Sequence, residues 1–124
     1  DWYTYMIGAR GSYSVHINKH VSVKLKTEAD WGPAFGYNVD HHILRGDRWT
    51  YEKTSGNSLY FLTGLDMTVA KTVTIGVGVD YLWIRTSGTH RWRDPTYGID
   101  QSWSDGVNVW SDQLGLSAHA SYAF

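Results

Sequence analysis

Residues 40–42 read Asp-His-His, and the first and third of these have the types and spacing to move a proton together. In extended backbone, side chains two apart project to the same face, so Asp40 and His42 stand side by side while His41 points away. A carboxylate beside an imidazole accepts a hydrogen bond from one ring nitrogen, which fixes its tautomer and orientation. The other nitrogen is then available to take a proton from water. A free imidazole titrates near 6.5, close to the optimum for a general base at neutral pH, and such a base is commonly worth ~10²–10⁴-fold in rate. No serine is required, because water is the nucleophile. An isolated Asp-x-His is weak evidence, since polar loops hold such residues for many reasons. Its meaning rests on the elements that position it.

The 124 residues suffice for one domain. With no cysteine, disulfides, thiolate metal sites and cysteine nucleophiles are excluded. Eleven basic against twelve acidic residues give a formal net charge of −1, so nothing attracts nucleic acid in bulk. Seven Trp, nine Tyr and thirteen Gly against two Pro suit strands and tight turns better than helices. No apolar run approaches the roughly 20 residues of a membrane-spanning helix. The mean hydropathy of −0.38 suggests a soluble chain, but a membrane barrel shows lipid only every second side chain.

Period-two alternation dominates the sequence. Tyr3, Tyr5, Ile7, Ala9, Tyr13 and Val15 share one face of the opening segment, opposite Arg10, Ser12 and Ser14. Val21, Val23, Leu25, Ala29 and Trp31 oppose Lys24, Lys26, Glu28 and Asp30 in the next segment. The pattern predicts five antiparallel meander strands near 2–16, 21–31, 57–69, 73–85 and 106–124, with no separate soluble domain in residues 1–124. Residues 17–20 and 70–72 read as tight turns, and 32–56 and 86–105 as long polar connections carrying some further strand. The polar faces bear consecutive charges and the apolar faces end in aromatics such as Trp31, Trp83 and Tyr122. That combination points to an all-β transmembrane barrel of outer-membrane type, with a polar lumen, aromatic girdles, short periplasmic turns and long external loops. Single-chain bacterial barrels close with an even number of strands, so five strands read as half of a probable ten-stranded barrel. The expected partners are a missing N-terminal half or a second copy.

The order of strands, the segments IGARGSY (7–13) and DHHILRGDRWTY (40–51), and the alternating terminus SAHASYAF resemble the C-terminal half of the omptins, outer-membrane endopeptidases. The spacing from Asp40 through His42 to Gly46, Arg48, Thr50 and Tyr51 is the most specific part. The resemblance implies a Gram-negative outer-membrane location, a polypeptide substrate, no cofactor, and lipopolysaccharide as partner and lipid activator. It implies that Asp40 orients and His42 acts as base, while an aspartate pair from the other half positions the water. That pair and the acidic residues that select a basic substrate side chain are not among these residues. The family's lipopolysaccharide-holding positions do not transfer by motif either.

Other residues carry blander readings. His41, His42 and His90 offer imidazoles to a metal, but adjacent histidines in a strand face opposite ways and no Glu-x-x-His spacing is present. His16 and His20 flank a turn, and His119 falls on a polar strand face. Arg10, Lys24, Lys26, Glu28, Asp30, Asp66 and Asp80 read as mutually compensating lumen charges. Arg85 suits a lipid phosphate or simple snorkelling, and HRWRDPTYG (90–98) suits a loop that shapes access. A barrel that only binds, as an adhesin or structural protein, is the alternative from a different functional class.

Overall fold

A computed structural model describes residues 1–123, with Arg45 described in its backbone alone. The chain is all-β. Strands β1 (Trp2–Thr4), β2 (Ile7–His16), β3 (Val21–His42), β4 (Arg48–Val69), β5 (Val73–Asp94) and β6 (Ile99–Tyr122) follow one another, with single 3-10 turns at Ile43–Arg45 and Pro95–Tyr97. They form one open antiparallel sheet in the order β1–β3–β4–β5–β6, with β2 also paired to β3. No described helix is long and apolar enough to cross a membrane, which leaves crossing by strands untouched. Phe124, expected to close the last strand, lies outside the described residues.

The structure departs from the sequence reading in two places. The opening segment is two strands, β1 and β2, rather than one over 2–16. Thr4 faces Ala34 and Ile7 faces Trp31, and that register sets Tyr5 against Pro33. Tyr5 N–H donates to the Pro33 carbonyl at 3.2 Å, but proline has no N–H to return the bond, so a rung is missing there. Further, the spans 32–56 and 86–105 carry the further strand expected of them, but far more of it, so that only short turns remain. β3 continues to His42, β4 starts at Arg48, β5 continues to Asp94 and β6 starts at Ile99. Alternation in these extensions is brief and interrupted by Gly and charged residues, while backbone pairing continues.

Two compact units emerge along the strands. The second comprises Ile7–Trp31, Leu59–Trp83 and Asp112–Phe124. Its register matches like with like: Ala9 faces Ala29, Tyr13 faces Leu25 and Val15 faces Val23, while Arg10 faces Glu28 and Ser12 faces Lys26. The apolar face is bare, with Ile7 at 78% and Leu116 at 81% exposure. The charged face compensates itself. Arg10 Nε donates to Glu28 Oε2 at 2.7 Å, and Asp66 Oδ1 lies 2.8 Å from Lys26 Nζ, an ion-pair distance without hydrogen-bond alignment. His119 Nε2 stands 3.4 Å from the same Asp66 oxygen. Asn18 Oδ1 accepts from His20 and Val21 N–H at 2.8 and 3.0 Å, closing the first tight turn. The second turn places Ala70 and Lys71 at φ 52° and 64°.

The first unit comprises Asp1–Met6, Gly32–Ser58 and Ile84–Ser111. It holds Ala34 and Ile84, the only buried hydrophobic side chains among the described residues. Around them Thr86 donates to Thr54 at 3.1 Å, and Ser58 donates to the Gly32 carbonyl at 3.0 Å. A small, partly polar core thus ties β3, β4 and β5 together.

Candidate active site

β3 ends where the 3-10 turn Ile43–Arg45 meets Gly46 and Asp47, both left-handed at φ 78° and 59°. Asp40 and His42 are therefore the last two same-face residues of the strand. His42 Nε2 lies 3.0 Å from Asp40 Oδ2, and both side chains remain partly open to solvent. With Nε2 turned to the carboxylate, Nδ1 is the nitrogen left to meet a water. His41 points to the other face, where it pairs with Asp47 and stacks on Trp49 at 3.7 Å between ring centroids. Trp49 in turn stacks on Tyr51 at 6.1 Å.

Across the sheet, Asn38 Nδ2 donates to Glu52 Oε2 at 3.3 Å. The close approach of Gly36 to Thr54 and the His41–Trp49 stack fit the same register, in which Asp40 falls opposite Thr50 and His42 opposite Arg48. Arg48 is held from two sides: Nε and Nη2 each lie 3.2 Å from Asp94 Oδ2, and the guanidinium covers the Trp92 ring at 5.0 Å. Asp94 is wholly buried, and its Oδ1 accepts from Tyr97 N–H at 3.4 Å, capping the Pro95–Tyr97 turn. Thr96 donates to the Gly46 carbonyl at 2.7 Å, so the tips of the two hairpins are fastened.

A second imidazole–carboxylate couple shares this face. His90 Nδ1 lies 3.2 Å from Glu52 Oε1, and the His90 ring tilts against Trp103 at 5.8 Å. Glu52 lines a cleft of about 240 Å³ with Trp2, Gly36, Asn38, Thr54 and Val109. Arg48 belongs to the Asp40–Tyr51 segment, but neither Glu52 nor the pairing of Arg48 with Asp94 was readable from a motif, and only the strand register brings them together. The three imidazoles His41, His42 and His90 each take a separate carboxylate, Asp47, Asp40 and Glu52. No group of three metal-ligating side chains gathers among the described residues.

The loop read as shaping access, 90–98, is instead largely strand. Arg91 grips Asp100 with Nε and Nη2 at 2.7 and 2.5 Å. That hydrogen-bonded guanidinium holds the Asp100 carboxyl below the usual carboxylate range, and the carboxylate raises Arg91 in turn.

The chemistry available on this face is proton transfer to and from water by an oriented imidazole. A single carboxylate–imidazole couple holds and activates a water but does not by itself stabilise the charged intermediate of peptide hydrolysis. No family model, curated protein or solved structure matches the chain.

Proposed function

We propose that the chain is the C-terminal half of an outer-membrane β-barrel endopeptidase resembling the omptins, with Asp40 orienting His42 as the base that activates water. The observation that carries the hydrolytic part is the 3.0 Å contact between His42 Nε2 and Asp40 Oδ2 at the end of a strand, which leaves the second ring nitrogen turned away from that carboxylate. The membrane part is supported by the bare apolar face of the second unit. A water-soluble domain of this size buries about two thirds of its surface, whereas here the described residues bury only two hydrophobic side chains. β3, β4 and β5 enter that unit over 21–31, 59–69 and 73–83, eleven residues each. A transmembrane strand needs about 9–11. The remaining length of each strand extends past the bilayer in this reading, on the outer side of a Gram-negative cell.

The aspartate pair that completes the site comes from strands outside this chain, and lipopolysaccharide serves as the lipid activator. The substrate is an exposed polypeptide. In the complete barrel, in lipopolysaccharide-containing detergent, a fluorogenic peptide with a dibasic centre is cleaved by the parent. Asp40→Asn keeps the shape but lowers the rate by ~10²–10⁴-fold, as loss of an imidazole-orienting carboxylate does elsewhere. His41→Ala changes the rate least of the three motif positions, because its ring lies on the other face. A folded parent that binds the peptide and leaves it intact supports the adhesin reading instead.

A further inference from the structure

Arg48, opposite the candidate base, is ion-paired with Asp94 on the neighbouring strand. We propose that Asp94 is a positioning residue: by holding the Arg48 guanidinium, it prevents Arg48 from capturing Asp40 and so preserves the Asp40–His42 couple. The inference rests on the reading of His42 as a base, given above.

Arg48 stands opposite His42, so it is the diagonal neighbour of Asp40, and diagonal positions of an antiparallel pair lie about 7–8 Å apart, within reach of a long side chain. A guanidinium binds a carboxylate through two parallel donors and stays charged at every working pH, so it outcompetes an imidazole for the same carboxylate. Asp40 is half-exposed and, among the described residues, is fastened by the His42 contact alone. What restrains Arg48 is Asp94. Both guanidinium contacts end on the same Asp94 oxygen, and Trp92 packs against the guanidinium plane. Asp94 cannot follow Arg48 toward Asp40, because it is wholly buried and its other oxygen caps the turn at Tyr97. Removing the Asp94 charge therefore frees a cation beside Asp40, and removing both charges frees nothing.

The test compares the parent, Asp94→Asn and Asp94→Asn/Arg48→Gln in the full-length protein in lipopolysaccharide-containing detergent. Asparagine retains the oxygen that caps Tyr97, so the turn is kept. Three readouts are taken: heat-resistant migration, the ring nitrogen resonances of ¹⁵N-labelled His42, and steady-state cleavage of the dibasic peptide. The expected result is unchanged heat-resistant migration for all three proteins. In Asp94→Asn the His42 ring resonances leave their parent positions and kcat falls by at least about tenfold, as for a misoriented base, with KM nearly unchanged. The double variant returns both the resonances and kcat toward the parent. The proposal is overturned if Asp94→Asn leaves the His42 resonances in place, if the double variant stays as impaired as the single, or if Asp94→Asn loses heat-resistant migration. Should the parent cleave nothing, the resonances still decide the competition for Asp40, and it is the endopeptidase reading that fails.

Discussion

At the scale of single residues, geometry separates neighbours that look alike in sequence. His41 and His42 are adjacent, yet one stacks on Trp49 beside Asp47 and the other meets Asp40. This much was legible in advance, because period two is a property of the extended backbone and needs no partner strand. Glu52 and His90 were not legible as a couple. They sit 38 residues apart on different strands, and only the pairing of β4 with β5 brings them to 3.2 Å. The same holds for Arg48 and Asp94, 46 apart. A prediction at this scale concerns Asp100. Its folded-state value is depressed by the Arg91 hydrogen bonds, so the pair's contribution is present above the ordinary carboxylate range and is lost as pH falls through the depressed value. Carboxyl ¹³C titration should place Asp100 below the ordinary value near 3.8, and Arg91→Gln should move it upward. A titration in Arg91→Gln that overlays the parent would contradict this.

At the scale of elements, the existence and direction of strands were readable and their ends were not. Hydropathy alternation reports which face is apolar, and along 36–42 and 48–56 it is short, with Tyr37 and Val39 opposite Asn38 and Asp40 and with Trp49 and Tyr51 opposite Arg48 and Glu52. Hydrogen bonding continues there regardless, which is why the two connections expected to carry some strand are strand almost throughout, joined by short turns. The interruption at Tyr5–Met6 had a visible cause in Pro33, whose missing donor breaks the ladder only once the register is known. The turn after β4 holds a different lesson. Ala70 and Lys71 both adopt left-handed backbone, a conformation costing about 1–2 kcal/mol for a residue with a Cβ, and one that Asn-Gly accepts readily in two-residue hairpins. Ala70→Asn/Lys71→Gly should therefore raise the urea unfolding midpoint in lipid vesicles, by an amount equivalent to about 1–2 kcal/mol. An unchanged or lowered midpoint would mean that the tight turn does not have this strained geometry.

At the scale of the whole molecule, the open sheet sets the terms. Its edges are β1 with β2 on one side and β6 on the other. In hydrocarbon each unpaired N–H or C=O costs several kcal/mol, so a membrane-embedded sheet must have both edges covered, by the other half of a barrel or by a second copy. Hydrogen exchange in lipid should then show every amide of Gln113–Ser121 protected, including the alternate ones that β5 cannot reach. Rapid exchange at alternate residues would mean a bare edge and would remove the membrane reading. The apolar face was visible in the sequence, whereas the sheet has six strands rather than the five expected, and β3 to β5 run to 22 residues each. The carboxylates that would complete catalysis were visible only as an absence from the chain. The claim that joins these scales is that His42 takes the proton from the attacking water. Its most direct test is the initial rate of dibasic peptide cleavage per heat-resistant folded molecule, parent against His42→Ala, in lipopolysaccharide-containing detergent. The account predicts a fall of at least ~10²-fold with migration unchanged; a His42→Ala protein that cuts as fast as the parent would contradict it.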